Sequence, residues 1–404
     1  SSDVCSSDLL EAQQNSNGLS FNTSGFSAFF ENVTTKVKEL FGLKVEYVDD
    51  EVDVLEGTDK QTITLASKNN TGEKARVLVT NADNVEIASG SIQVASSLVL
   101  KLKDVVISAK EKLAGILIES DADVDLILSG ENTVTGGENH AGIEVEWKSG
   151  KEYASLTIDG DGTLNAKGGS GSGGAGIGGS KGEKGVYGDI TINGGTINAT
   201  GTGRSAGIGS SDNPMDGTSH GSYKYTEEQW GTITINDGNI TAKGNGNGAG
   251  IGGGNHTSSG EIIINGGTIY AEGDSGIGSG LGSSSGANKG PGYYYADVTI
   301  NGGTVTAYAT NNMGAGIGGG MYGDAYVTIN GGDVTASVNL NGKAYQGGAG
   351  IGGGYQGVAQ VEITGGTVNA TGGNGAPGIG NGALGADTTS KTVDGEGNPT
   401  GTKN

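Results

Sequence analysis

Sulfur, proline, arginine and phenylalanine are all scarce in this chain of 404 residues. There is one cysteine, Cys5, so no intramolecular disulfide and no cysteine-based metal site can form. Four prolines beside 83 glycines, without a Gly-X-Y period, exclude collagen. Only Arg76 and Arg204 carry guanidinium groups, and the formal net charge is −22, which argues against nucleic acid and against anionic membranes as partners. No apolar run approaches the roughly 18 residues of a membrane-spanning helix, so membrane insertion is not expected.

Two phrases alternate in place of these. One is Ala-Gly-Ile-Gly-Gly, as at Ala175 to Gly179; the other is aliphatic-Thr-Ile-Asn-Gly-Gly-Thr-aliphatic, as at Ile190 to Ile197. Isoleucines of the first phrase recur at 116, 143, 177, 208, 251, 277, 317, 351 and 379, at intervals of 26 to 43 residues. Constant phrases with variable spacing imply a solenoid whose loops absorb the variation. The two-residue strand period turns Ile190, Ile192, Ile197 and Ala199 inward and Thr191 and Asn198 outward. Asn193-Gly194-Gly195 makes the corner, because Asn and Gly accept positive φ. Stacking in register, at about 4.8 Å per coil, predicts an inner column of Ile192, Ile235, Ile264, Ile300, Ile329 and Ile363. It also predicts a corner column of Asp159, Asn193, Asn236, Asn265, Asn301, Asn330 and Thr364, with the amides bonded along the axis.

Residues 1–9, SSDVCSSDL, match one reading frame of a common sequencing adapter and are set aside as an artefact. Residues 10–57 contain all five phenylalanines. Phe26, Phe29, Phe30, Val33, Val37, Leu40 and Phe41 fall at helical spacing before Gly42, which predicts a short amphipathic helix. That helix would either cap the solenoid or be the remnant of an upstream domain. The solenoid itself is expected over 58–383. Residues 384–404, polar and rich in Gly and Thr, read as a linker within a longer multidomain chain.

The phrases at 130–145, 156–169 and 190–201 resemble those of a bacterial extracellular carbohydrate-binding family with a right-handed, single-stranded parallel β-helix shaped like polysaccharide lyases. Similar repeats occur in surface adhesins. The resemblance implies an all-β fold, non-catalytic binding of polysaccharide or host glycan, a secreted or cell-surface location and, in some members, calcium. It carries over no particular site residue. A structural stalk and a polysaccharide lyase are the alternatives.

Twelve of the sixteen Tyr and Trp residues lie in one class of loop, between the Gly-Ile phrase and the next strand. They are Trp147 and Tyr153; Tyr187; Tyr223, Tyr225 and Trp230; Tyr293, Tyr294 and Tyr295; Tyr322 and Tyr326; and Tyr355. Stacking would line them along one edge as a glycan-binding strip, since an aromatic ring offers a flat apolar face with a polar tip. The same rings would equally serve to pack down over the coil edge. The outward threonine rows, such as Thr157, Thr191 and Thr234, would suit an ice-binding face, but Tyr270, Glu362 and the neighbouring Lys167 and Lys243 spoil the flatness. Calcium candidates are Asp121, Asp123 and Asp125, which alternate and so would share a face, together with the turn Asp159-Gly160-Asp161. His140, His220 and His256 sit in Gly-rich turns without a catalytic motif, and no carboxylate pair suited to glycoside cleavage stands out.

Overall fold

The structure is a computed structural model that describes residues 13–15, 18–20, 30, 35–48, 50–59, 61–68, 73–110, 112–148, 150–181, 186–212, 230–282, 294–341 and 345–383. Beyond one small hairpin, Gln13–Asn15 with Gly18–Ser20, the strands form three long sheets. Sheet 1 has twelve strands and ends with Glu261–Ile264, Tyr295–Ile300, Asp324–Ile329 and Ala359–Ile363. Sheet 2 has nine, from Val106–Ser108 to Thr367–Thr371. Sheet 3 has twelve, most of them the two-residue Ile-Gly strands such as Ile177–Gly178. Each coil contributes one strand to each sheet in turn, so that sequence neighbours lie in different sheets and equivalent strands pair in parallel. This is an all-β parallel β-helix.

The register follows from side-chain alternation. Ile192 pairs with Ile235, and the column continues through Ile264, Ile300, Ile329 and Ile363. Across the corner, Ala199, Ala242, Ala271, Ala307, Ala336 and Ala370 form a column in sheet 2. A one-residue slip would turn every aliphatic outward, and each large buried side chain contributes roughly 1.5–3 kcal/mol. Sheet 3 carries the tightest constraint. Gly178 has φ 130°, and a Cβ there would lie 2.0 Å from the carbonyl oxygen of Gly209 in the next coil. The glycine of the Ile-Gly phrase is therefore required by the close approach of successive backbones.

The N-terminal helix is corrected. Thr35–Leu40 is a strand, paired antiparallel with Leu43–Val48, and there is no helix among the described residues. Phe41 (φ 53°) and Gly42 (φ 86°) are the two central residues of the connecting turn, the doubly positive geometry that matches strand twist in a two-residue hairpin. The apolar spacing of Val37, Leu40 and Phe41 suits a helix locally. Leu43, Val45 and Tyr47 decide the matter, because they alternate, are all buried, and hold the neighbouring strand in the sheet. Val37 is left half exposed. Phe26, Phe29 and Val33, the adapter-like segment and the proposed linker lie outside the described residues.

The candidate functional edge and groove

The aromatic residues lie where coils leave sheet 3 and enter sheet 1, although the crossings at 119–122 and 253–260 carry no Tyr or Trp, and Tyr295 and Tyr326, expected in loops, lie within the sheet 1 strands Tyr295–Ile300 and Asp324–Ile329. Backbone bonds tie these loops to one another. Gly231 N donates to Tyr187 O at 2.9 Å, Asp324 N to Tyr294 O at 2.9 Å, and Tyr322 N to Tyr355 O at 3.0 Å. The rings consequently meet at one edge: Tyr322 and Tyr355 are 5.8 Å apart between centroids, and Tyr295 and Tyr326 are 6.4 Å apart, near perpendicular at 78°. Trp147 and Tyr153 form a tilted pair at 6.5 Å, and His256 lies 6.2 Å from Tyr294. Tyr223, Tyr225, Tyr293 and His220 lie outside the described residues.

The rings differ in what they touch. Tyr187, Trp230, Tyr294 and Tyr355 are buried. The Tyr187 hydroxyl donates to the Ser259 carbonyl two coils along the chain, and burial pushes its pKa well above the ordinary phenol value. These four seal the edge of the stack. Trp147, Tyr153, Tyr295 and Tyr322 are half-buried, and Tyr326 is 50% exposed. Tyr326 stands in the outward row of sheet 1, in register with Asp297 on one side and Gln360 on the other. The solvent-facing part of the edge is therefore a tyrosine pair flanked by a carboxylate and an amide.

Three of the five aspartates proposed for calcium are paired with lysines. The Lys74 ammonium sits 2.8 Å from both Asp123 and Asp125. Asp121 lies outside their strand, in a turn at φ 71°, so it does not share their face. It bonds Lys151 at 2.5 Å, which holds its carboxyl below the usual range. Asp159 caps its own corner through Gly160 N at 2.7 Å, and burial raises its pKa, whereas Asp161 is exposed. Calcium takes six to eight oxygens. These carboxylates are divided among ammonium groups and turns, and among the described residues no group of three or more His, Cys, Asp or Glu is placed to hold a metal. The donor set does not fit calcium.

The structure adds a feature that the residue patterns did not suggest. In the later coils the outward position of sheet 3 is glycine, but in the earlier ones the same column reads Thr64, Gln93, Leu117 and Glu144 before reaching Gly178. A groove of about 350 Å³ is lined by Gln93, Leu117 and Glu144 of this column. Its legible signal was the departure of Ala141-Gly-Ile-Glu-Val145 from the Ala-Gly-Ile-Gly-Gly phrase. His140, which the sequence places in a Gly-rich turn without a catalytic motif, is in that groove with Nδ1 3.2 Å from Glu144 Oε2.

A family model described as a beta helix repeat matches residues 190–212, 233–255, 262–281, 298–321, 327–355 and 361–383. Each matched segment spans one corner and one Gly-Ile strand, in agreement with the coils described above. No curated protein and no solved structure matches the chain.

Proposed function

We propose that this chain binds a polysaccharide or host glycan without transforming it, as part of a bacterial secreted or cell-surface protein. The observation that carries this reading is the exposed Tyr326 ring, braced by Tyr295 at 6.4 Å and flanked by Asp297 and Gln360 in the same row. A sugar ring stacks its C–H face on such a phenol while its hydroxyls bond planar carboxylate and amide groups. The coil is taken as right-handed, the sense adopted by crossovers between parallel strands of one sheet.

Affinity electrophoresis through gels containing plant and host-type polysaccharides tests the reading. Retardation by at least one polysaccharide, lost in Tyr326→Ala while the circular dichroism of the fold is unchanged, is the expected result. Equal retardation of the variant counts against the site. Product release from polygalacturonate would instead favour a lyase.

A second reading, a structural stalk, is favoured by the burial of Tyr187, Trp230, Tyr294 and Tyr355. It expects no retardation by any polysaccharide.

A further inference from the structure

The groove over the early coils of sheet 3 is built differently from the rest of the surface. Its floor holds two carboxylates fixed by neighbours. Glu144 Oε2 accepts the Ser180 hydroxyl at 2.5 Å and faces His140, and Ser180 Oγ is itself anchored by Ala141 N at 2.8 Å. Glu146 accepts Ser120 N at 3.0 Å and pairs with Lys148 at 2.7 Å. Leu117, in register with Glu144, supplies an apolar patch, and Lys112 and Lys181 line the same groove.

What sets these two lysines apart is their shared groove, since Lys44, Lys110 and Lys167 also have no ion-pair partner among the described residues. Lys74, Lys148, Lys151 and Lys243 each sit on a carboxylate. Lys112 and Lys181 have no ion-pair partner among the described residues, although the chain as a whole has a large excess of acid. Lys112 is exposed on a backbone of φ 65°, which sets it at a turn on the rim. Two ammonium groups beside one concave surface attract an anionic group. The fixed carboxylates below them are poised to accept hydroxyl protons.

We propose that this groove is a second binding site, which takes a polyhydroxylated ligand bearing one anionic group, a carboxylate or a sulfate ester. Lys112 and Lys181 hold the anion, Glu144 and Glu146 accept hydroxyls, and Leu117 meets the C–H face. The proposal rests on the glycan reading for the polyhydroxylated part of the ligand, but it uses a different surface from the tyrosine edge.

Calorimetric titration of the whole chain with a galacturonate oligomer, a sulfated dextran oligomer and neutral dextran tests it. The expected result is binding of at least one charged oligomer at least tenfold tighter than the neutral one at low salt, weakening as salt rises. The comparison of the two charged probes tells carboxylate from sulfate. Lys112→Ala with Lys181→Ala removes the preference, Lys112→Arg with Lys181→Arg retains it, and Tyr326→Ala leaves it intact. The lysines are solvent-accessible, so circular dichroism of the double variant should match the parent. Equal or absent binding of all three probes overturns the proposal, as does a preference that survives loss of both lysines. A preference abolished by Tyr326→Ala and not by the lysine changes would assign the ligand to the tyrosine edge instead.

Discussion

The side-chain amide of Asn265 donates to the side-chain oxygen of Asn236 at 2.8 Å. The same bond is repeated from Asn236 to Asn193, from Asn301 to Asn265 and from Asn330 to Asn301, and the Thr364 hydroxyl closes the row on Asn330. Every donor points toward the preceding coil, so the ladder has one direction. Each interior asparagine must both give and accept, which an aspartate cannot do. The bonded row starts at Asn193, and Asp159, the next residue of the expected column, accepts from Gly160 N instead.

Asn265→Ala removes two side-chain hydrogen bonds, each worth about 1 kcal/mol net. A loss of about 2 kcal/mol is expected, concentrated in the flanking coils, because a solenoid's coils are coupled mainly to their neighbours. Hydrogen exchange should show faster opening of the strands beside 236 and 301 and little change near 100. Asn265→Asp should be at least as damaging, since its carboxylate faces the Asn236 oxygen. Uniform, unaltered exchange in both variants would show that the ladder contributes nothing.

Gly178→Ala should be among the most damaging single changes in the chain. The added methyl would lie 2.0 Å from the Gly209 carbonyl oxygen, on a backbone at φ 130°. Neither the backbone nor the oxygen can yield without separating two coils, and a cost above about 3 kcal/mol is expected. Gly150→Ala is the control, because it has a positive φ of 83° but nothing within 4 Å of the added methyl. Thermal melts of the two variants should differ by several degrees, with Gly178→Ala the lower.

Asp274 carries a pH dependence. It is fully buried, its oxygens accept the Asn311 amide and Met321 N, and burial pushes its pKa from 3.8 up to about 6. The folded state therefore binds this proton more tightly than the unfolded state does. The stability it contributes is present below pH 3.8 and is lost as the pH rises through about 6, a change on the order of 3 kcal/mol. Asp274→Asn should abolish that slope between pH 4 and 6. It also surrenders one acceptor, so the slope and not the absolute stability is the quantity to read. Parallel stability curves for parent and variant across this window would contradict the assignment.

The hairpin at Phe41-Gly42 and the groove at Glu144 show where reasoning from the residues stopped short. In the hairpin, a helical spacing of Val37, Leu40 and Phe41 competed with the alternation of Leu43, Val45 and Tyr47, and strand pairing resolved it. At the groove, the Glu-for-Gly departure was visible, but it acquires meaning only once Ser180, 36 residues away, is seen to bond Glu144. The tyrosine edge lies between these cases. The loop class was evident, yet one edge holds both the sealed ring of Tyr187, in the loop before its strand, and the open ring of Tyr326, within a strand of sheet 1.

Local chemistry was enough to specify the repeating unit. Alternating aliphatics choose the inner face, Asn-Gly-Gly makes a corner, and a glycine after isoleucine permits backbones to close, all within a few residues of one another. Burial and partnership are set by the coil above and the coil below, which are 26 to 43 residues distant in the chain. Stacking alone therefore decided which tyrosines reach solvent, which lysines lack a counter-ion and which aspartate loses its water.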